Sequence, residues 1–305
     1  MTVADRPSAE VRIDEQVVRA LVATLDEAIP DAGGLAIAHV AEGWDCSVWR
    51  LGDDLALRLP RRQVVADLLV GESRALAEVA PYVAATGVQV PAAVVVGEPT
   101  PDYPWPWTLV RFHPGTSGLA VPRERRASWA APLAAALAAL HRPAVDDHPR
   151  NPFRGVPLAD RAGAVEERLD RLADPLTAEE HGALVHAWQD ALAAAPWSGP
   201  PLWIHGDLHP GNLIARDTEL VAIIDFVDIT GGDPAYDLAA AWLVFDDAGR
   251  RAFVAATRGV DSGTWARARG WAAAMAATLL LASDDDPSYE RLARETITEL
   301  AQSPA

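Results

Sequence analysis

Apolar residues recur at helical spacing through residues 14–28, which predicts an amphipathic helix near the start of the chain. The period then changes. Gly43-Trp44-Asp45-Cys46-Ser47 reads as a loop that enters a strand ending near Leu51, and Gly52-Asp53-Asp54 turns the chain into Leu55-Ala56-Leu57-Arg58-Leu59. Leu55, Leu57 and Leu59 share one face of that second strand, so Ala56 and Arg58 occupy the other. Helical spacing returns over residues 64–80, where Val65, Leu69, Leu76 and Val79 form one stripe. Glu72 lies within the stripe, and a carboxylate on a buried face needs a partner. A further hairpin runs from Val88-Gln89-Val90-Pro91 to Trp107-Thr108-Leu109-Val110-Arg111. From Arg123 onward the pattern is mostly helical, over 124–141, 158–173, 177–195, 233–245 and three later segments. Strands first and helices afterwards predict an α+β protein, long enough at 305 residues for two cores.

The helical half is interrupted by three short strand-like runs, Leu202-Trp203-Ile204, Leu213-Ile214-Ala215-Arg216 and residues 220–224. Between the first two lies His205-Gly206-Asp207-Leu208-His209-Pro210-Gly211-Asn212. Gly206, Pro210 and Gly211 exclude a regular helix here, so His205 and His209 are not a helical pair of metal ligands. With a turn at Asp217-Thr218-Glu219, Asn212 falls opposite Ile224 and therefore beside Asp225. Magnesium takes oxygen ligands, often one or two from the protein and the rest from phosphates and water, and Asn212 with Asp225 meets that demand. Asp207 is then left to accept or orient the proton of an attacking hydroxyl. Asp207-Leu208 followed after three residues by Asn212, and later by Asp225-Phe226, reproduces the catalytic-loop and magnesium-binding spacing of protein kinases.

With Gly232-Asp233-Pro234-Ala235-Tyr236-Asp237-Leu238-Ala239 added, the stretch resembles the catalytic core of the aminoglycoside phosphotransferase family, small-molecule antibiotic kinases that share the protein-kinase fold. The resemblance implies two lobes: residues 1–112, an antiparallel sheet with a helix that binds nucleotide, and 113–305, mostly helical and carrying catalysis and acceptor. It implies ATP, with GTP open as the alternative, and Mg2+ as cofactors, and Asp207 as the catalytic residue. Asp237 and His205 would support the catalytic loop without doing chemistry. Arg58 stands where the family commonly has lysine, on the nucleotide phosphates and paired with Glu72; Arg61 and Arg62 are rivals for that contact. Residues 43–47, including Ser47, would cover the phosphates, and adenine would meet backbone groups of Arg111 and His113. The acceptor would lie against the C-terminal helices, with Trp242, Trp265, Trp271 and Asp246 as candidate walls; Asp247 and the run Asp284-Asp285-Asp286 are further acids able to attract ammonium groups.

The expected activity is ATP-dependent transfer of phosphate to a hydroxyl of a small molecule, an aminoglycoside or a related antibiotic. A macrolide kinase, a kinase of a choline-like or sugar-like metabolite, and a non-catalytic pseudokinase are the alternatives. Composition adds limits. Every one of the 26 basic residues is arginine, and net charge is −17. Such an excess of acid argues against nucleic acid as a partner and suits a cationic acceptor, although it equally serves solubility in an arginine-rich chain without lysine. A single cysteine, Cys46, excludes an intramolecular disulfide and suits a reducing compartment. The first ten residues lack the apolar core of a signal peptide, and the apolar run 271–282 is too short to span a bilayer, so no membrane contact and a cytoplasmic location are expected.

Overall fold

A computed structural model describes residues 8–282 and 286–302. The chain enters through helix α1 (Glu15–Val22), whose first turn is capped by Asp14: its carboxylate accepts the N–H groups of Gln16 at 3.0 Å and Val17 at 3.1 Å. A five-stranded antiparallel sheet follows. Its strands are β1 (Ile37–Glu42), β2 (Cys46–Leu51), β3 (Leu55–Pro60), β4 (Ala93–Gly97) and β5 (Trp107–Arg111), in the order β1-β2-β3-β5-β4. Strand β1 is not foreseen by the hydrophobic pattern, because as an edge strand it buries neither face well and shows no alternation. Between β3 and β4 runs helix α2 (Gln63–Ala84).

In β3, Leu55, Leu57 and Leu59 enter a core shared with Val18 and Leu21 of α1 and with Trp107 and Leu109 of β5. The second, larger core begins on the latter half of α2, where Leu76, Val79 and Val83 pack with the helical half of the chain. Helix α2 therefore touches both cores, the first through Ala66. The helical half comprises β6 (Thr116–Ser117), α3 (Ala130–Leu140), α4 (Leu158–Arg171), α5 (Ala178–Ala193), β7 (Leu202–Ile204), β8 (Leu213–Arg216), β9 (Glu219–Ile223), β10 (Thr230–Gly232), α6 (Ala235–Leu238), α7 (Ala240–Leu243), α8 (Asp247–Ala256), α9 (Ser262–Ala282) and α10 (Pro287–Gln302). Small sheets β6-β8-β9 and β7-β10 flank the segment between β7 and β8.

Three predicted helices are shorter than the pattern suggests. The one expected over residues 14–28 is α-helical only through α1 and continues as a 3-10 turn over Ala23–Leu25. Residues 123–129 form tight 3-10 turns before α3, with Pro132 in the first turn of that helix. Residues 233–245 break into α6 and α7, and the buried Arg123 caps the end of α7 by donating to the carbonyls of Trp242 at 2.7 Å, Phe245 at 2.9 Å and Leu243 at 3.1 Å. No helix among the described residues is long and apolar enough to cross a membrane.

Candidate active site

Strands β8 and β9 pair with Leu213 opposite Ile223, and the N–H of Ile224 donates to the carbonyl of Asn212 at 2.9 Å. This extends the pairing to Asn212 opposite Ile224 and brings Asp225 beside Asn212. Asp225 adopts φ 63°, a left-handed conformation uncommon outside glycine and tolerated best by short polar side chains. The amide of Asn212 donates to the backbone carbonyl of Asp207 at 2.8 Å and lies 3.4 Å from its carboxylate, which leaves its oxygen as the group available to a cation.

The loop carrying Asp207 is held from behind. Asp237 is fully buried, and its carboxylate accepts the N–H groups of His205 at 2.8 Å and Gly206 at 3.1 Å, with Nε2–H of His141 donating to it at 3.1 Å. His205 donates through Nε2 to the carbonyl of Ile224 at 2.9 Å, so its Nδ1 accepts the N–H of Asp207 at 3.1 Å. These two bonds fix one neutral tautomer of His205 and tie the loop to the end of β9. Gly206 has φ 84°, and a Cβ there would lie 2.4 Å from the carbonyl oxygen of Asp228; both facts demand glycine.

Around Asp207 stand groups that spacing alone does not single out. Arg154 lies 3.4 Å from Asp207 and 3.5 Å from Asp228, with its guanidinium 5.6 Å from the ring centroid of Tyr236. Asn151 donates to Asp228 at 2.7 Å, and Nε2 of His209 faces Asp207 at 3.5 Å. Burial pushes the Asp207 carboxyl upward, but His209 and Arg154 outweigh it and hold the group well below the usual carboxylate range. Asp228, by contrast, is raised by its burial and by neighbouring Asp207 against the pull of Arg154. Asn151 and Arg154 come from an irregular segment between α3 and α4 with no periodicity to read. Asp228, three residues beyond Asp225, is the one that proximity to the motif marks in the sequence.

Residues of this site line two cavities. One, of about 390 Å³, is a slot between the sheet and the helical half. Val48 and Ala56 line it from the sheet, Ile214 and Ile224 from the β8–β9 hairpin, and Arg58 and Asp225 are among its polar groups. The strand parity expected for β3 holds: Ala56 and Arg58 face the slot. Arg58 donates to Glu72 at 2.5 Å and approaches Asp225 at 3.7 Å, so one guanidinium spans two carboxylates. Burial lowers the pKa of Arg58, but Glu72, Cys46 and Asp225 more than reverse the effect and keep it charged. The rivals are occupied elsewhere: Arg61 binds the carbonyls of Gly43 and Trp44 and pairs with Glu42 at 2.7 Å, while Arg62 pairs with Asp45 at 2.9 Å. Both tether the β1–β2 loop.

Arg111 and His113 line the far end of the slot. Phe112 donates its N–H to the carbonyl of Asp54, in the turn before β3, at 2.8 Å, so strand alternation directs the backbone groups of Arg111 and His113 to the opposite side, past the end of β4. Ser47 does not face the slot. Cys46 and Val48 do, and the alternation between them turns Ser47 inward, fully buried, where its hydroxyl accepts Nε1–H of Trp49 at 2.9 Å. The Cys46 thiol is nearly buried, and desolvation pushes its pKa up to about 12.

The second cavity, of about 420 Å³, holds Asp207, His209 and Asp228 on one side and α4 and α9 on the other. Trp271 lines it, 4.7 Å from the Tyr236 ring. Trp242 and Trp265 do not, because they stack on each other at 6.3 Å with Phe253 beside Trp265, in the core near α8. Asp246 is also elsewhere: it caps α8, accepting the N–H of Gly249 at 2.8 Å. Asp247 pairs with Arg250 and Arg251 on the same helix. Of the acidic run, Asp284 and Asp285 lie outside the described residues.

The model of the phosphotransferase enzyme family (APH) matches residues 36–271. The chain belongs to that family. Several solved structures share the fold of this phosphotransferase over nearly its whole length. The GDP and kanamycin complex of APH(2")-IIIa superposes with a TM-score of 0.66 at 21% identity, covering 92% of this chain and 98% of that one. Macrolide 2'-phosphotransferase MphH from Brachybacterium faecium, as apoenzyme, gives 0.59 at 25% identity with 91% and 97% covered. The streptomycin-ATP-APH(2")-IIa ternary complex gives 0.57 at 18% identity with 96% and 98% covered. No curated relative matches at the level of sequence. The phosphotransferase thus has the two-lobed α+β fold of the antibiotic kinases, as its sheet, helix and catalytic-loop pattern led one to expect.

Proposed function

We propose that this phosphotransferase moves the γ-phosphate of ATP from the interlobe slot to a hydroxyl of a small molecule bound in the adjoining cavity. The observation that carries the reading is that Asp225 lines the slot and Asp207 the other cavity, while Asn212, hydrogen-bonded to Asp207 and next to Asp225 through the β8–β9 pairing, links the two. A flat base fits between Val48 and Ala56 above and Ile214 and Ile224 below, with backbone groups of Arg111 and His113 reading its edge. Arg58, oriented by Glu72, holds the phosphates.

The amide oxygen of Asn212 and the carboxylate of Asp225, neighbours through the β8–β9 pairing, are hard donors of the kind magnesium takes and would hold it. When bound, the metal neutralises charge on the phosphates. Asp207 orients the acceptor hydroxyl and takes its proton as the acceptor oxygen bonds to the γ-phosphorus. The bond from phosphorus to the bridging oxygen breaks with its electron pair, ADP leaves, and the proton passes to solvent. Because Asp207 is held ionised, it is ready to accept throughout the neutral range. Asp237 and His205 position the loop and do no chemistry. The use of ATP goes with a cytoplasmic location, which is part of the same proposal.

The test is transfer from ATP or GTP with magnesium to a panel of hydroxylated small molecules, including kanamycin and a macrolide, read by mass spectrometry. Asp207→Asn, shown folded by circular dichroism, should abolish transfer; retained turnover in that variant refutes the assigned mechanism.

A further inference from the structure

Besides the catalytic acids, the acceptor cavity is lined by charges that the reaction does not use. Helix α4 places Arg161, Val165 and Arg168 on one stripe, at i, i+4 and i+7, and all three line the cavity. Arg168 donates to the carbonyl of Ala164 at 3.0 Å, and the Arg161 guanidinium lies 5.1 Å from the Phe153 ring centroid. Neither has a carboxylate within ion-pair distance among the described residues, whereas Arg154 is shared between Asp207 and Asp228. In a chain with 43 acidic residues against 26 arginines, two half-buried arginines without an acid at a cavity wall mark a place kept for an anion from outside. The opposing wall from α9 is apolar, Trp271, Ala274, Met275 and Leu279, apart from Thr278, whose hydroxyl donates to the carbonyl of Ala274 at 2.9 Å. Two carboxylates are present in the lining, Asp207 and Asp228, and both face Arg154, so ammonium groups find no free acid there.

Resting on the kinase reading of this site, we propose that the acceptor is a hydroxylated organic acid. Its anion sits on Arg161 and Arg168, its apolar body lies against Met275 and Leu279, and its hydroxyl reaches Asp207. Carboxylate and phosphate share the chemistry that these guanidinium groups recognise.

The experiment uses the full chain with ATP and magnesium and measures transfer to mandelate and phenyllactate, to their methyl esters, to glycerol phosphate, and to kanamycin. The acids should exceed their esters in kcat/KM by roughly 10- to 100-fold, the value of one charged hydrogen bond. Glycerol phosphate separates a phosphate site from a carboxylate one. Arg161→Gln and Arg168→Gln should raise KM for the acid over the same range without changing KM for its ester, and Arg168→Lys should recover part of the loss. Preference for kanamycin or the esters, no transfer to any anionic member, or an acid KM that both glutamine variants leave unmoved overturns the proposal. Slow ATP hydrolysis lost in Asp207→Asn, followed in parallel, reports on the kinase reading by itself.

Discussion

Asp237 offers the sharpest test of how the catalytic loop is held. Its buried carboxylate accepts two backbone N–H groups, from His205 and Gly206, and a third bond from His141. Replacing it with alanine leaves both backbone donors buried and unmatched. Hydrogen bonds to a charged acceptor contribute roughly 1.5–3 kcal/mol each, so the two backbone bonds together predict a loss of roughly 3–6 kcal/mol. At about 2 °C per kcal/mol for a chain of this size, the thermal midpoint should fall by roughly 6–12 °C. Asp237→Asn keeps one acceptor oxygen but turns an NH2 toward the other donor, and it should lose about half as much. Differential scanning calorimetry measures both. In turnover, kcat should fall further than KM for ATP rises, because the loop positions Asp207 and does not touch the nucleotide. A polar residue merely lying on a helix edge would shift stability by no more than about 0.5 kcal/mol; a midpoint within about 1 °C of wild type for the alanine variant would therefore refute the anchoring role.

Glu72→Ala strips Arg58 of its buried partner and should destabilise the protein by roughly 3–5 kcal/mol in urea unfolding, while the double variant Arg58→Met, Glu72→Leu loses less than the sum of its parts. Arg154→Gln removes one of the charges that depress Asp207, so burial raises its pKa and the acid limb of kcat/KM moves to higher pH; an unmoved limb would show that Arg154 does not set the ionisation of Asp207. Asp246→Ala deletes a helix cap and should cost about 1 kcal/mol in thermal unfolding with acceptor KM unchanged, since Asp246 lies outside the acceptor cavity.

The catalytic loop was legible because its information is local. Glycines and a proline ruled out a helix, and a turn centred near Thr218 pairs Asn212 with Ile224; the turn in fact closes on Arg216 and Glu219, and a one-residue register shift between Ile214 and Ala215 restores that pairing. Arg58 and Glu72 were legible through two periodicities, one of strand and one of helix. What the pattern could not supply was which way the loop and helix ends face. Ser47 lies at a loop-to-strand junction, where one residue of phase decides between slot and core. Trp242 and Trp265 sit on helical turns whose phase is reset by the break between α6 and α7 and by the start of α9. Arg154 and Asn151 lie in irregular chain that only tertiary packing carries to Asp207.

Asp225 keeps a left-handed backbone although it has a side chain. Glycine would relieve that conformation, so a screen for thermostability alone would tend to select Asp225→Gly. The same exchange deletes the carboxylate facing Arg58 across the slot. Consensus or stability-guided redesign of this enzyme should hold position 225 fixed, because there the most comfortable backbone and the proposed metal site call for different amino acids.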